Sequence, residues 1–199
     1  MFNKPRGCIT ACSDARKLTV MDYIPESERE GLFPVGRLDM DTEGFIILTD
    51  DGKFCFHINE PKSGVSKTYL FWAFGTLDEE KIKKLENGVS IYNDKSIITA
   101  PARIEKVKEA KLRDIAHLTD EDPLRLKLTK RGELLVTLVK ITITEGKKHQ
   151  VKRMAKSVGM NVIYLERIEI AGVKLDETLP RGSYRPLTDE ELAVIKNDM

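Results

Sequence analysis

One segment of the chain changes its hydrophobic period abruptly, and this change limits what the chain can fold into. In the stretch ELLVTLVKITITEG, apolar residues such as Val139 and Ile141 alternate with polar ones, which predicts a strand with one buried face. The stretch KKHQVKRMAKSVG that follows has Val151, Met154 and Val158 at helical spacing, with charges between them. A half-buried strand that leads into an amphipathic helix predicts a fold of mixed α and β elements.

The remaining periodic stretches fix the fold class. FIILTDDG, KTYLFWAFG and NVIYLERIEIAG predict strands, whereas LDEEKIKKLENGV and LTDEELAVIKN predict helices, the last one capped by Thr188 and Glu191. No regular alternation of strand and helix is present, so we expect an α+β fold with a mixed, largely antiparallel sheet and flanking helices. The segment 106–130 is charged and poorly periodic, and we expect an exposed excursion within a single domain spanning 1–199.

Composition excludes several classes of protein. The chain has 199 residues, a net charge of +1 and 41% hydrophobic residues, which is typical of a globular domain without a uniformly basic surface. Its three cysteines form no C-x-x-C pair, which favours a reducing compartment. No apolar run is long enough to span a membrane and the amino terminus is too polar for a signal peptide, so we predict a cytoplasmic protein.

The stretch GRLDMDTEG concentrates acidic residues between two glycines. Asp39, Asp41 and Glu43 stand at alternate positions, and Arg37 precedes them. The pattern is compatible with a calcium loop, with a solvated acidic turn, or with a loop that directs one carboxylate toward a substrate. The apolar run that follows Glu43 predicts a buried strand, and a carboxylate close to it needs a partner.

Metal sites are the weaker interpretations of these residues. The stretch DMDTEGFIILTD matches a calcium loop only in its first half, since an apolar residue and the short Asp50 stand at positions nine and twelve. No helix can enter the loop, because Pro34 and Gly36 precede it. A zinc site is also conceivable, but its spacing is unusual; its ligands would be Cys8, Cys12, Cys55 and His57. We predict no metal and no cofactor.

A second group of candidate residues is basic. Lys148, Lys152 and Lys156 repeat every four residues of the predicted helix, with Arg153 and His149 beside them. Such a face is either an ordinary solvated helix surface or a surface that binds phosphates and supplies a cation to a buried carboxylate. The turn NKPRG adds the cations Lys4 and Arg6. In KTYLFW, Tyr69 is a candidate for stacking on a base and moving a proton.

Taken in order, NKPRG, GRLDMDTEGFIILTDDG, KTYL, EGKKHQVKRM and GSYRPLTDEEL resemble the catalytic domain of bacterial ribosomal RNA pseudouridine synthases, in particular the small-subunit synthase A group. The resemblance runs from Asn3 to Leu192. It implies a two-lobed fold with a central cleft and the isomerisation of one uridine in folded rRNA without a cofactor. The base must leave the helical stack for this reaction.

The resemblance also implies roles for individual residues. Asp39 is the catalytic carboxylate, Tyr69 stacks under the target base and transfers protons, and Lys152 pairs with Asp39. Many relatives carry arginine at the position of Lys152, so a single-point contact is expected here. Arg37 enters the space left by the extruded nucleotide. The RNA-binding set implied is Arg37, Lys4, Arg6, Lys67, Lys148, Gln150, Arg153, Leu165 and Arg167.

The expected partner is ribosomal RNA or an assembling ribosomal subunit, acted on by a monomer. The carboxy-terminal resemblance favours a 16S uridine, with a 23S uridine as the near alternative. A non-catalytic RNA-binding or ribosome-assembly module of the same fold is the alternative from another class. Relatives of this group carry a small basic S4 domain before the NKP turn, where this chain begins, so we expect weaker and more salt-sensitive RNA binding.

Overall fold

A computed structural model describes residues 1–92 and 97–197, which form two compact units. Unit 1 contains the described residues of Met1–Thr68, Thr144–Gly146 and Glu166–Met199, and unit 2 those of Tyr69–Ile143 and Lys147–Leu165. The cleft expected from the family resemblance stays a prediction.

The described residues contain strands, α-helices and short 3-10 helices. The strands are β1 (Phe2–Lys4), β2 (Phe33–Val35), β3 (Glu43–Thr49), β4 (Lys67–Phe74), β5 (Arg103–Lys111), β6 (Leu135–Ile143), β7 (Asn161–Ile170) and β8 (Val173–Lys174). The α-helices are α1 (Gly52–Asn59), α2 (Glu79–Glu86), α3 (Pro123–Leu128), α4 (Gln150–Ser157) and α5 (Asp189–Asn197). The 3-10 helices are Val20–Tyr23, Glu26–Glu28, Pro61–Ser63, Leu112–Leu118 and Lys130–Glu133.

Unit 1 is organised around β3. This strand pairs antiparallel with β1 and with β2, and parallel with the second half of β7, which in turn pairs antiparallel with β8. The buried side chains Phe45 and Ile47 of β3 belong to one apolar cluster with Phe54 and Ile58 of α1. α1 begins where the carboxylate of Asp51 accepts hydrogen bonds from the first free amides of the helix. Helix α1 therefore shares an apolar core with β3.

Unit 2 has the strand order β7-β4-β6-β5. β5 and β6 pair antiparallel along their whole length, with a bulge between Lys106 and Lys108. Its apolar cluster includes Trp72, Leu112, Ile115 and further buried side chains. The α+β fold and its largely antiparallel sheet are thus confirmed, as are the strand–helix succession β6–α4 and the buried residues Val151, Met154 and Val158.

Most residues of the segment 106–130 are exposed, but the segment is built of regular elements and also contributes buried side chains to the core of unit 2. Its first residues form the end of β5, and its later residues Leu112, Ile115 and Leu126 are buried in the core of unit 2. β5 lies at the edge of the sheet, where charged side chains reach solvent and hide the strand period. The following helix has 3-10 geometry, so its apolar residues do not follow the α-helical period.

The carboxy-terminal stretch of unit 1 is fastened by one arginine. Arg185 binds Glu191 through both terminal nitrogens at 2.8 Å and Asp176 through Nε at 2.8 Å. Glu191 also accepts a hydrogen bond from the Thr188 amide and donates its own amide to the Thr188 hydroxyl, so the predicted capping box of α5 is confirmed. Hydrogen bonds from the Thr178 hydroxyl, from Arg185 and from the Thr178 amide lower the pKa of Asp176 from 3.8 to about 2.

This lowered pKa predicts an acid-dependent stability. The contribution of Asp176 to the free energy of unfolding is complete above about pH 4. It disappears as the pH falls through about 2, because protonation removes an interaction that only the folded state has. We expect Asp176→Asn to lower the melting temperature at pH 6 and to match the wild type increasingly well toward pH 2.5. Glu177→Gln, at an exposed neighbouring carboxylate, is the control; a pH-independent deficit in Asp176→Asn would contradict this account.

Candidate active site

The loop that carries Asp39 connects β2 to β3 within unit 1. Gly36 begins it with a φ of 69°, and a Cβ atom there would lie 2.8 Å from Oδ1 of Asn59, so the position requires glycine. Arg37 and Asp41 are exposed, whereas Asp39 is half-buried. Of these three residues, only Asp39 is partly shielded from solvent.

Thr10 holds the backbone next to Asp39. Its hydroxyl donates to the carbonyl of Leu38 at 3.0 Å and accepts from the amide of Leu38 at 3.1 Å. On the other side, the amide of Thr42 donates to the carbonyl of Asp39 at 3.1 Å and closes a turn. The residues flanking Asp39 are fixed in this way, which limits the positions that its carboxylate can reach.

Lys4 lies beneath the same loop and is fully buried. Its ammonium group donates to the carbonyls of Thr42 at 2.8 Å and Pro5 at 3.1 Å. Burial lowers the pKa of Lys4, and the Cys8 sulfur and the loop carboxylates, Asp39 among them, oppose this lowering. The charge of Lys4 is thus hydrogen-bonded inside the protein, where it holds the loop, and the predicted contact between Lys4 and RNA stays a prediction.

Glu43 illustrates why three carboxylates in one loop are not equivalent. It begins β3, is buried, and forms an ion pair with Arg181 at 2.8 Å. Glu166 is its register partner on β7 and binds the same guanidinium at 3.2 Å. One arginine thus bridges two adjacent carboxylates that would otherwise repel each other. Sequence analysis missed Arg181, because it stands in a loop with no periodicity, far along the chain from Glu43.

Two further basic residues of the predicted RNA-binding set are buried in unit 1. Lys67 donates to the carbonyls of Ile58 at 2.8 Å and Val65 at 2.9 Å, and Arg167 donates through Nε to the carbonyl of Phe45 at 2.7 Å. These contacts do not support a direct role of Lys67 and Arg167 in RNA binding, which stays a prediction. Burying a long basic side chain requires such acceptors, and backbone carbonyls are not visible in a sequence pattern. Arg6 is half-buried and Arg37 is exposed, so both stay candidates.

The basic surface of unit 2 is carried by α4. Lys152 and Arg153 are half-buried, Lys156 is exposed, and Val151 faces the core. α4 begins at Gln150, so Lys148 lies before the helix and not on its face as predicted. His149 precedes the first turn with a φ of 53°, an uncommon conformation for a residue other than glycine.

The remaining predicted site residues of unit 2 are buried. Gln150 accepts a hydrogen bond from the amide of Lys147 at 2.8 Å through its side-chain oxygen, so its burial does not support the predicted RNA contact. Leu165 on β7 is buried and Tyr69 on β4 is 8% exposed, and the RNA contact predicted for Leu165 stays a prediction. Since Asp39 belongs to unit 1 and Tyr69 and Lys152 to unit 2, the pairing and stacking expected of them stay predictions.

The structure also bears on the two metal hypotheses. The calcium-loop interpretation is wrong, because positions five to eleven of DMDTEGFIILTD form β3 and Glu43 pairs with Arg181. Cys8 is buried, Cys12 is exposed and Cys55 is half-buried. In residues 1–92 and 97–197, no group of three or more histidine, cysteine or acidic residues is arranged to hold a metal ion. Among the helices of these residues, none has the length and apolar character needed to cross a bilayer.

Comparison with known proteins assigns the family. Residues 1–157 match the family model described as RNA pseudouridylate synthase. The chain is 41% identical over 196 residues to the uncharacterized RNA pseudouridine synthase YtzG of Bacillus subtilis (strain 168), covering 98% of this chain and 72% of that protein. It is 34% identical over 195 residues to ribosomal small subunit pseudouridine synthase A of Escherichia coli (strain K12), covering 98% and 72%.

A solved structure agrees with this assignment. The crystal structure of a pseudouridylate synthase superimposes with a TM-score of 0.78 at 32% identity, covering 98% of this chain and 71% of that one. Family model, relatives and structure agree, and the chain belongs to the RNA pseudouridine synthases, isomerases that act on RNA.

Proposed function

We propose that this chain isomerises a specific uridine of 16S ribosomal RNA, with Asp39 as the catalytic carboxylate. Support for the small-subunit target comes from the relatives named ribosomal small subunit pseudouridine synthase A, which are 33–35% identical over 98% of the chain. Support for a substrate in ribosomal RNA or an assembling subunit comes from the same similarity.

The observation that carries the choice of Asp39 is the unequal environment of the three carboxylates in GRLDMDTEG. Glu43 is buried in an ion pair with Arg181, and Asp41 is exposed at the turn. Asp39 alone of the three combines partial exposure with a backbone that is anchored through Leu38 and Thr42. A carboxylate that must meet one sugar or base atom needs such positioning, because small misplacements lower rates strongly.

The reaction requires a defined set of bond changes. The N1–C1′ bond of the uridine breaks, the uracil turns, C5 forms a bond with C1′, and the proton lost from C5 is balanced by a proton gained at N1. The Asp39 carboxylate can begin this sequence by attack on C1′, by attack on the ring or by removal of the C2′ proton. Each route uses the ionised carboxylate and needs an extruded uridine.

The resemblance to the family supplies roles for the other two proposed site residues. Lys152 is the cation expected to pair with a carboxylate, and Tyr69 is the residue expected to stack on the uracil and to take part in moving the C5 proton. Arg37 is exposed two residues before Asp39 and is suited to occupy the gap that the extruded nucleotide leaves. Lys148, Arg153 and Arg6 are suited to phosphate contacts, since Lys148 is exposed and the two arginines are half-buried.

The first test compares the two acidic residues of the turn. Asp39→Asn is expected to lower the single-turnover rate of pseudouridine formation on 16S rRNA by at least about 10³-fold, because it removes the reacting carboxylate. RNA affinity and melting temperature should remain close to the wild-type values. Asp41→Asn, the matched control, should change the rate less than about threefold.

Carbodiimide-based mapping of rRNA modified by the purified protein gives the readout. Equal losses in Asp39→Asn and Asp41→Asn would show that the wrong carboxylate was chosen. If the wild-type protein modifies no rRNA uridine but still binds the RNA, the non-catalytic binding module is the better description.

The second test concerns the anchoring of the Asp39 loop. Thr10→Val removes both hydrogen bonds to Leu38 while keeping the side-chain shape, and we expect a loss of about 1–3 kcal/mol in unfolding free energy. The single-turnover rate should fall by about 10- to 100-fold, because Asp39 loses its fixed position. RNA affinity should change little.

Thr42→Val is the matched control on the same loop. Thr42 is buried, and within the described residues its hydroxyl oxygen has no hydrogen-bond partner. Its replacement should leave the unfolding free energy within about 0.5 kcal/mol or raise it. Urea titration of both variants measures the unfolding free energy, and quenched-flow assays measure the single-turnover rate. Similar rates for Thr10→Val and wild type would exclude the anchoring role.

A further inference from the structure

An exposed tyrosine and an arginine of α4 are stacked in unit 2. The guanidinium carbon of Arg153 lies 4.9 Å from the centroid of the Tyr92 ring, within the range of a cation–π contact. Tyr92 is 37% exposed and Arg153 is half-buried. Part of this flat pair is therefore accessible from solvent.

The backbone around Tyr92 is held in place. The Ser90 hydroxyl donates to the carbonyl of Tyr92 at 3.2 Å, and Ser90 forms an isolated antiparallel bridge with Ile98. Nearby, the amide of Thr99 donates to the carbonyl of Val89 at 3.0 Å, and the Thr99 hydroxyl accepts from the amide of Val89 at 3.0 Å. These bonds hold the backbone that leads into Tyr92, and a restrained approach lowers the entropy cost of using its ring for binding.

Exposed apolar residues follow Tyr92 in the chain, and further cations share α4 with Arg153. Ile97 and Ile98 follow in the same segment and are 42% and 57% exposed. Arg153 shares α4 with Lys152 and Lys156, and no acidic residue occurs in Gln150–Ser157. An apolar and aromatic surface next to cations is the combination that binds an unpaired base together with its phosphates.

We infer that Tyr92 and Arg153 form a stacking ledge for an unpaired base of the substrate RNA. The inference rests on the proposed function, since it assigns part of the same RNA substrate to residues outside the reacting centre. The ligand class is a single-stranded ribonucleotide segment, because only an unpaired base exposes its face to a side chain. A protein partner is less well matched, because Arg153 and the exposed Lys156 lie on a helix that contains no acidic residue, and two such cations favour a polyanion.

The ledge predicts a loss of affinity that depends on bases and not on charge. Tyr92→Leu should weaken binding of a single-stranded rRNA oligonucleotide about 5- to 100-fold, the range for loss of one stacked base. Tyr92→Phe, which keeps the ring, should bind like wild type. The slope of log affinity against log salt should stay unchanged in Tyr92→Leu, whereas Lys156→Gln should reduce it by about 0.7 if Lys156 contacts a phosphate of the strand.

Two controls separate stacking from a structural effect. Phe56→Leu changes an aromatic that is even more exposed, 69%, on α1 of unit 1, and should leave RNA affinity unchanged. An abasic oligonucleotide of the same length should bind equally to wild type and Tyr92→Leu. Fluorescence anisotropy with both oligonucleotides and a melting curve of each variant give the readouts.

Several outcomes would overturn the ledge. Unchanged RNA affinity in Tyr92→Leu excludes it, and an equal loss on the abasic strand shows that Tyr92 only positions Arg153. If Tyr92→Leu melts more than a few degrees below wild type, Arg153→Lys provides the second test of the pair. It should weaken binding of the base-containing oligonucleotide and leave binding of the abasic one unchanged. Failure of the proposed function can be told apart from failure of the ledge. The first appears as a lack of pseudouridine formation by the wild type, and the second appears only in the RNA affinities of the variants.

Discussion

The buried ammonium group of Lys4 is the interaction on which the Asp39 loop depends. A buried positive charge is costly unless it is fully hydrogen-bonded, and here carbonyls of the loop and of the NKP turn satisfy it. If the loop moved away from β1, the Lys4 ammonium group would lose carbonyl acceptors that satisfy its charge. Together with the Thr10 hydroxyl on Leu38, this contact holds the backbone around Asp39, and a carboxylate so positioned suits a reaction that must meet one atom of an extruded nucleotide.

The basic residues of the chain divide into two groups with different roles. Lys4, Lys67 and Arg167 donate to backbone carbonyls inside unit 1 and stabilise the protein itself. Lys148 and Lys156 are exposed and remain available to a polyanion. A net charge of +1 therefore says little about RNA binding, because some cations are consumed in the fold while others are concentrated along one helix.

The tight approach of β3 and β7 explains one of the two glycines of GRLDMDTEG. A Cβ atom on Gly44 would lie 2.9 Å from the amide nitrogen of Arg167, which is the register partner of Gly44 on β7. Glycine is thus required for the parallel pairing that places Glu43 beside Glu166, and Arg181 then bridges the two carboxylates. The acidic pattern of the loop is partly structural, which is why only one of its three carboxylates is proposed to carry chemistry.

Local patterns alone determined the strands β3, β4, β6 and β7, the amphipathic character of α4 and the capping box of α5, because alternation, helical spacing and cap chemistry depend on neighbours a few residues apart. The ordered motifs also indicated the family. Tertiary structure decided that Lys4 is buried, that Glu43 meets Arg181, that Leu112 and Leu126 belong to the core, and that Arg153 lies on Tyr92. Each of these depends on residues or carbonyls brought together by folding, and long-range contacts of this kind leave no periodic pattern in the sequence.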